Sequence, residues 1–253
     1  MATSRRRARP EARSTPPEER GTAVEQREPR GARRKRETRE KLLRAAFQLI
    51  AERGVDAVAV NEITEAADVG FGSFYNHFES KDAIHAAVLG AVFDDFGDAL
   101  EKLTANIDDP AEIIAVSVRH VIGHARREPL WGRFLLREWY RPEAFPRGLG
   151  ARLLHDIGKG IARKRFEVTD PLMTTLVAGG TVIGALAAQL GSAGEGGAKL
   201  LDQFGMTTEN LDQRAAAALL QGFGLPALEA KAIAKRPLPT LEWAPVFGGT
   251  SDD

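Results

Sequence analysis

The side chains best suited to bind a partner are concentrated near residue 75. Tyr75, Asn76 and His77 are consecutive, and Lys81 follows four positions after His77. Phenol, imidazole and ammonium groups bond readily to phosphate oxygens, and an amide can form two hydrogen bonds with an adenine edge. The residue types in this segment therefore favour recognition of a nucleic acid.

Two other patterns contain histidine, and neither amounts to a complete site. His120 and His124 are four residues apart, a spacing that can bind a metal from one helix face, but no acidic partner lies nearby in the sequence. His155-Asp156 is similar to a metal dyad of one class of phosphohydrolases, yet it stands alone. The chain has no cysteine, which excludes disulfides, thiolate zinc sites and cysteine nucleophiles. We predict no metal, no cofactor and no enzymatic activity.

The elements that position the segment around Tyr75 are two short helices joined by a tight turn. The first runs from about Val60 to Ala67, and the second covers Phe71–Phe78. Small alanines on the inner face of the first helix let the two helices cross closely, so that the second projects toward a DNA major groove. Asp68 occupies a turn position that needs a left-handed backbone, which Asp tolerates better than most residues. The pattern is typical of a helix-turn-helix.

Helix signals continue along the rest of the chain. Apolar residues between positions 42 and 50 recur at spacings of three and four, and Gly54 suits the end of that helix. Ser80 can cap a helix that begins at Lys81. Asp-Pro pairs at 109–110 and 170–171 open long helices, and further helices are expected at about 131–140, 149–166, 207–222 and 226–234. No strand and no repeat is evident, so the predicted class is all-α.

Residues 37–88 resemble the TetR family of bacterial transcriptional regulators. The most specific elements are Ala67-x-Val69 and the block Phe74-Tyr75-x-His77-Phe78 followed by Ser80-Lys81. Ala59, Asp68 and Gly70 depart from the family pattern, in which Thr, Gly and Ser are common at these positions. The resemblance implies a three-helix DNA-binding domain followed by a larger helical domain, which binds a small molecule and dimerises through its last two long helices.

The resemblance also implies roles for individual residues. Tyr75, His77 and Lys81 are expected at phosphates, Asn76 at an adenine edge and Phe71 at a thymine methyl group. The predicted DNA-binding set is Arg36, Asn61, Phe71, Gly72, Ser73, Tyr75, Asn76, His77 and Lys81. For Tyr75 and Phe78 the alternative is simple packing in the core.

Charge and composition complete the division of the chain. Residues 1–41 carry 14 Lys or Arg and 7 Asp or Glu, and since the chain holds 35 of each sign, the remainder has a net charge of −7. This asymmetry indicates a polyanion partner for a basic arm, the alternative being a solvated tail. We expect a disordered arm at 1–35, the DNA-binding domain at 36–88, the effector and dimerisation domain at 89–236 and an irregular tail at 237–253. No apolar run follows the basic start, so no secretory signal is predicted.

The dimer interface is predicted from small and apolar residues. Leu172–Leu190 lacks charge and contains Gly180-x-x-x-Gly184, so that a second helix can approach closely. The predicted interface comprises Leu172, Leu176, Gly180, Ile183, Gly184, Leu211, Ala215 and Leu219. The alternative for this stretch is a transmembrane span, for which its length suffices, but its Thr, Gln and Gly residues weaken that interpretation, and no membrane partner is predicted.

An effector pocket is predicted where aromatic residues concentrate. The candidate residues are His120, His124, Trp131, Phe134, Trp139 and Tyr140. Aromatic side chains commonly line apolar pockets, although ordinary core packing explains them equally well.

These features together predict a cytoplasmic, nucleoid-associated homodimer that reads a palindromic operator in double-stranded DNA. We expect a repressor that an unknown small-molecule effector releases from its operator. The alternative is a nonspecific nucleoid-type protein, which would bind any duplex equally and lose affinity steeply with salt.

Overall fold

The computed structural model describes residues 29–139, 141, 148–191, 199 and 201–243, and within these ranges the regular structure is entirely helical. The helices are α1 (Arg30–Arg53), α2 (Val60–Ala66), α3 (Phe71–Phe74), α4 (Lys81–Leu89), α5 (Asp95–Thr104), α6 (Pro110–Arg127), α7 (Pro129–Glu138), α8 (Gly148–Ala162), α9 (Pro171–Gly191), α10 (Leu211–Gly222) and α11 (Ala227–Ala234). The predicted all-α class is confirmed.

Helix α1 begins earlier than its apolar pattern indicates. Residues 30–35 were expected in a disordered arm, but they form the first turns of this helix. Arg33 pairs with Glu37 at 2.7 Å and Arg36 with Glu40 at 3.1 Å, both across one helical turn. Pairs at this spacing stabilise a helix without any apolar face, which explains why the apolar periodicity missed these residues. The expected arm at residues 1–28 lies outside the described residues.

Helices α1–α4 share one small core. Ile50, Ile63, Phe74 and Ile84 are buried from solvent and come from the four helices in turn. The turn between α2 and α3 has the predicted left-handed residue, because Asp68 has a φ of 52°. This core holds α3 in a fixed orientation against α2.

The predicted helix boundaries around this core are largely confirmed. Gly54 ends α1 with a φ of 82°, and its N–H donates to the Ile50 carbonyl at 2.8 Å. Ser80 caps α4, since its hydroxyl accepts from the Ala83 N–H at 3.1 Å. Helix α3 is shorter than predicted, because it ends at Phe74 and continues only as a turn through His77.

Helices α4 and α5 are joined by a π-helical turn at Gly90–Asp94. This turn connects helices α1–α4, the predicted DNA-binding part, with the larger domain formed by α5–α11. In that domain α6 is central and packs against α8, α9, α10 and α11. Asp109 caps α6 as predicted, accepting from the Ala111 N–H at 3.0 Å, and it also pairs with Arg165 at 2.9 Å. Arg165 reaches Glu229 of α11 at 2.7 Å, so one guanidinium ties the start of α6 to the last helix.

Two helix ends in the larger domain differ from the sequence expectation because the backbone turns left-handed. Lys164 has a φ of 55°, and α8 ends at Ala162 rather than near residue 166. Asn210 has a φ of 49°, and α10 begins at Leu211 rather than at residue 207. Residues in this conformation interrupt a right-handed helix. Neither position is a glycine, so the sequence did not indicate that the helix ends there.

Candidate DNA-binding surface and ligand cavity

Helix α3 presents two aromatic rings to solvent. Phe71 and Tyr75 are 54% and 55% exposed, and their rings contact each other edge to face at 5.7 Å. Phe74 between them is completely buried and anchors the helix. For Tyr75 the core-packing alternative is therefore wrong, whereas Phe78, at 5% exposure, does belong to the core.

The other predicted base-reading positions also face outward. Gly72 and Asn76 are exposed, Ser73 is half-buried, and Asn61 is exposed on α2. A Cβ added at Gly72 would meet no atom within 4 Å, so this stretch of backbone is open to the approach of a partner. The geometry leaves these groups available to a DNA groove.

Helix α2 lacks a side-chain cap at Ala59, and Glu62 takes over part of that task. Its carboxylate accepts from the Ala59 N–H at 2.8 Å and pairs with Arg53 at 2.7 Å. These two contacts lower the pKa of Glu62, the bond from the Ala59 N–H most strongly. Glu62 thus compensates for the missing hydroxyl.

A basic groove runs beside α3, where the first turns of α1 face the end of the helix-turn-helix. Arg34, Lys35, Asn76 and His77 are among its lining residues. His77 is half-buried, and its buried Nδ1 atom has no hydrogen-bond partner among the residues that the structure describes. Burial lowers the pKa of His77, and the charges of Lys35 and Arg39 lower it further. The groove combines positive charge with polar groups, as a phosphate site requires.

Lys81 has a second role that the sequence did not indicate. Its ammonium group donates to the carbonyls of Val55 and Val58 at 3.0 and 3.1 Å. These carbonyls belong to the turn between α1 and α2, so Lys81 ties the start of α4 to that turn. An ammonium has three N–H donors, and these bonds use two of them. Arg36, the remaining predicted DNA contact, is exposed and paired with Glu40.

The end of α7 docks onto the DNA-binding part through four polar contacts. Arg137 donates to the carbonyls of Ala51 and Glu52 at 2.9 and 2.7 Å, which satisfies carbonyls at the C-terminus of α1. Glu138 contacts His85 of α4 at 2.9 Å. Arg141 pairs with Asp56 and lies 3.4 Å from Glu138. Sequence reasoning missed this contact surface because its partners are 53 to 86 residues apart.

A cavity of about 320 Å³ lies within the larger domain, between α5, α6, α8 and α9. Its apolar wall includes Ile114, Val118, Leu149 and Val182, and its polar residues include Arg152, His155, Asp156 and Lys159 of α8. Trp139, which directly follows α7, also lines it. The volume lies near the lower limit of typical small-molecule sites.

Of the six residues predicted for the pocket, Trp139 alone lines this cavity among those described. Phe134 is completely buried and packs against Phe47 and Phe93 instead. His124 and Trp131 form an aromatic cluster with Phe96 and Trp243. Tyr140 lies outside the described residues. The prediction chose the aromatic-rich segment, but most of those rings face the core.

His120 and His124 serve packing in this structure. His120 Nε2 lies 3.0 Å from the Pro239 carbonyl, which holds residues 237–243 across α6. Burial lowers the pKa of His124 to about 4, with smaller contributions from Arg127 and His120. No group of three or more His, Asp or Glu side chains suited to a metal occurs in the part of the chain that the structure describes.

One face of α9 is apolar and exposed. Leu172 and Leu176 are 68% and 50% exposed, and Gly180 and Gly184 continue their line at steps of four residues. Ile183, Ala215 and Leu219 were predicted for the same interface, but they are buried in the core of this single chain. Leu211 is half-buried. Small residues occur on all sides of α9 and α10, so their pattern did not reveal which side faces the protomer's own core.

Helix α9 is also long and apolar enough to cross a membrane, with a mean hydropathy of 1.6, and 39% of that stretch is buried within the chain. It packs against α6, α7 and α10. Core helices of soluble proteins meet the same length and hydropathy criteria.

Both parts of the chain match known family models. Residues 42–88 match the model for bacterial regulatory proteins of the tetR family, and residues 109–236 match that for the tetracyclin repressor-like C-terminal domain. The HTH-type transcriptional repressor DhaR of Mycobacterium sp. strain GP1 is 49% identical over 57 residues, which are 22% of this chain and 29% of DhaR. KstR2 of Rhodococcus jostii strain RHA1, another repressor, is 38% identical over 79 residues, 31% of this chain and 39% of KstR2. The matched stretches span less than half of these curated relatives.

Similarity to a solved structure extends further. The crystal structure of RolR in complex with its ligand resorcinol superposes with a TM-score of 0.59 at 34% identity, covering 83% of this chain and 99% of that one. RolR without ligand superposes with a TM-score of 0.58 at 35% identity, covering 79% and 98% of the two chains. The similarity therefore includes the helices that surround the cavity.

Proposed function

The chain belongs to the TetR family of bacterial transcriptional regulators, and on this premise we propose that it is a repressor which a small aromatic effector releases from its operator. Its relatives DhaR and KstR2 are transcriptional repressors. The observation that carries the proposal is that one chain has an outward-facing α3 and an internal cavity. The end of α7 contacts α1 and α4, which pack beside the helix-turn-helix, and Trp139, which directly follows α7, lines the cavity.

We assign DNA recognition to α3. Phe71 and Asn76 are exposed and can contact base edges, while Tyr75 and the basic groove at Arg34 and His77 contact phosphates. Members of the family bind DNA as dimers, so two copies of α3 would read two half-sites of a palindrome. The exposed line from Leu172 to Gly184 is the proposed contact between the two protomers.

We assign effector binding to the cavity beside Trp139. RolR binds resorcinol, a small hydroxylated benzene, and the similarity of the two chains supports an effector of that kind and size here. A ring bound against Trp139 would act on the residues that precede it in α7. Because Arg137 and Glu138 contact α1 and α4, a displacement of α7 would change the orientation of α3. An effector achieves this only if it binds the two arrangements with different affinity.

A gel-shift titration tests the proposal. The full-length protein should form a saturable complex with the DNA upstream of its own gene at moderate salt, in the presence of unlabelled nonspecific competitor. Resorcinol should then release that complex. If no competitor-resistant complex forms, the proposed function is wrong.

The role of α7 has its own test. Arg137→Met removes two hydrogen bonds to α1, whereas Arg133→Met removes an exposed guanidinium from the same helix without a described partner and serves as the control. In the Arg137 variant we expect resorcinol to bind with its wild-type affinity. The loss of operator affinity that resorcinol causes should, however, be at least threefold smaller in this variant than in the wild type. Equal responses in both variants would exclude α7 as the connection.

The alternative of a nonspecific nucleoid-type protein has no support among the comparisons, since both family models describe regulators. A location in the cytoplasm follows from the proposed function. Fractionation tests it, because a protein anchored by α9 would pellet with membranes.

A further inference from the structure

The cavity contains a carboxylate, that of Asp156, to which none of the described side chains or backbone groups donates a hydrogen bond. Asp156 lies on α8, lines the cavity, and its side chain is 17% exposed. Its nearest described charged partner is the Lys159 ammonium at 3.8 Å, beyond hydrogen-bond distance. Among the residues that the structure describes, no N–H or O–H group hydrogen-bonds to this carboxylate.

A ligand that covers this half-buried carboxylate binds poorly unless it donates to it. A carboxylate accepts hydrogen bonds at about four lone-pair positions, and an acceptor that loses its water without gaining a donor costs free energy. Burial raises the pKa of Asp156, which Lys159 and His155 counteract. A ligand that donates hydrogen bonds would therefore satisfy the carboxylate where the protein does not.

The other charges in the cavity argue against an anionic ligand. Arg152 shares the wall with Asp156, but its guanidinium is already paired with Asp98 and Glu101. Arg163 donates to the Asp108 carbonyl at 2.6 Å. Lys159 also lines the cavity, and its ammonium lies 3.8 Å from Asp156, so a ligand carboxylate that approached this cation would also meet the negative Asp156, which disfavours its binding.

The remaining wall is suited to a flat ring. Ile114, Leu149 and Val182 supply apolar surface, and Trp139 supplies an indole. That indole lies against Gly179 of α9, where an added Cβ would come within 3.2 Å of two of its atoms. The glycine therefore leaves the indole room to lie against the helix rather than project further into the cavity.

We infer that Asp156 determines the specificity of the cavity, accepting hydrogen bonds from the hydroxyl groups of a neutral aromatic effector. This inference rests on the proposed function, because it concerns the same effector site. This specificity excludes two kinds of compound of similar size as effectors: aromatic ethers, which lack a hydrogen-bond donor, and aromatic carboxylates, which carry a negative charge.

Calorimetry on the full-length protein with two matched probes tests the inference. Resorcinol and 1,3-dimethoxybenzene have the same ring and substituent spacing, but the ether has no O–H group. Resorcinol should bind at least tenfold more tightly than the ether, and benzoate should bind at least tenfold more weakly than resorcinol. Equal binding of resorcinol and the ether, tighter binding of benzoate, or no binding of resorcinol would overturn the inference.

Two variants assign the preference to Asp156. Asp156→Leu should reduce the preference for resorcinol over the ether to less than threefold, and Asp156→Asn should give an intermediate ratio. Asp202→Leu removes an exposed carboxylate that does not line the cavity, so it is the control and should keep the wild-type ratio. If Asp156→Leu does not fold, the Asn variant decides, and an unchanged ratio there would overturn the assignment.

Gel shifts on the same samples separate the two proposals. A protein that binds its operator but does not distinguish resorcinol from the ether retains the proposed DNA-binding role and loses the assignment to Asp156. A protein that distinguishes the two probes but binds no operator loses the proposed function instead.

Discussion

Glu138 Oε2 lies 2.9 Å from His85 Nε2, and this contact joins α7 of the larger domain to α4 of the DNA-binding part. The carboxylate is 1% exposed, and Arg141 lies 3.4 Å from the same oxygen. The next residue after Glu138 lines the cavity. Two consecutive residues thus contact the α1–α4 part and the cavity, which places the connection between these two regions at one point of the fold.

Truncation of this carboxylate should weaken the whole fold. Glu138→Ala leaves the polar groups of His85 and Arg141 without their buried partner, at a cost of about 1–3 kcal/mol in the free energy of unfolding. Urea unfolding followed by circular dichroism measures the effect. Glu79→Ala removes an exposed carboxylate and should change stability by less than about 0.5 kcal/mol. A similarly small effect at Glu138 would show that the contact does not stabilise the fold.

Substitution of Gly72 should weaken DNA binding without destabilising the fold. A Cβ at this position meets nothing in the free protein, and alanine in a helix is favoured over glycine by up to about 1 kcal/mol. Gly72→Ala should therefore leave the melting temperature unchanged or raise it, while operator affinity falls at least tenfold because the methyl group meets the DNA. The operator Kd from gel shifts and the Tm from calorimetry test this. Unchanged affinity would place Gly72 outside the DNA contact.

Lys81 should influence both stability and DNA binding. Lys81→Met leaves two carbonyls of the turn after α1 without their donor, at a cost of about 1–3 kcal/mol in the free energy of unfolding. Its third N–H is expected at a phosphate, so operator affinity should fall alike for all sequences, and the salt slope should decrease by about one unit. Chemical denaturation and a salt titration measure the two effects separately. If operator binding by Lys81→Met has the same salt slope as that of the wild type, Lys81 has only a structural role.

Acid should destabilise the chain through His124. Its pKa is about 4 in the folded chain against an ordinary 6.5, so between these values the unfolded chain takes up the proton and the folded chain does not. Stability attributable to this residue is complete above pH 6.5 and is lost as the pH falls toward 4, by roughly 3 kcal/mol. His124→Leu should flatten the pH dependence of unfolding in this window. Equal curves for wild type and His124→Leu would contradict the assignment.

Local signals in the sequence predicted much of this protein correctly. Ser80 and Asp109 cap the helices expected of them, and Asp68 adopts its left-handed turn, because capping and turn geometry depend on neighbouring residues alone. The block around Tyr75 identified the helix-turn-helix, since the small core beneath it is formed by residues close together in the sequence. The exposure of Tyr75 did not follow from that pattern, because core packing remained its alternative until the structure showed the ring facing solvent.

Only the tertiary structure decided which partners and which surroundings other side chains have. Lys81 was expected at DNA alone, yet it also holds the carbonyl of Val55, and Ile183 was expected at a dimer interface, yet it lies in the core. Asp156 enters the cavity because α8 packs between α5 and α9, which no neighbouring residue encodes. Helical periodicity shows which residues share a face, but the element that covers that face is chosen by packing over the whole chain.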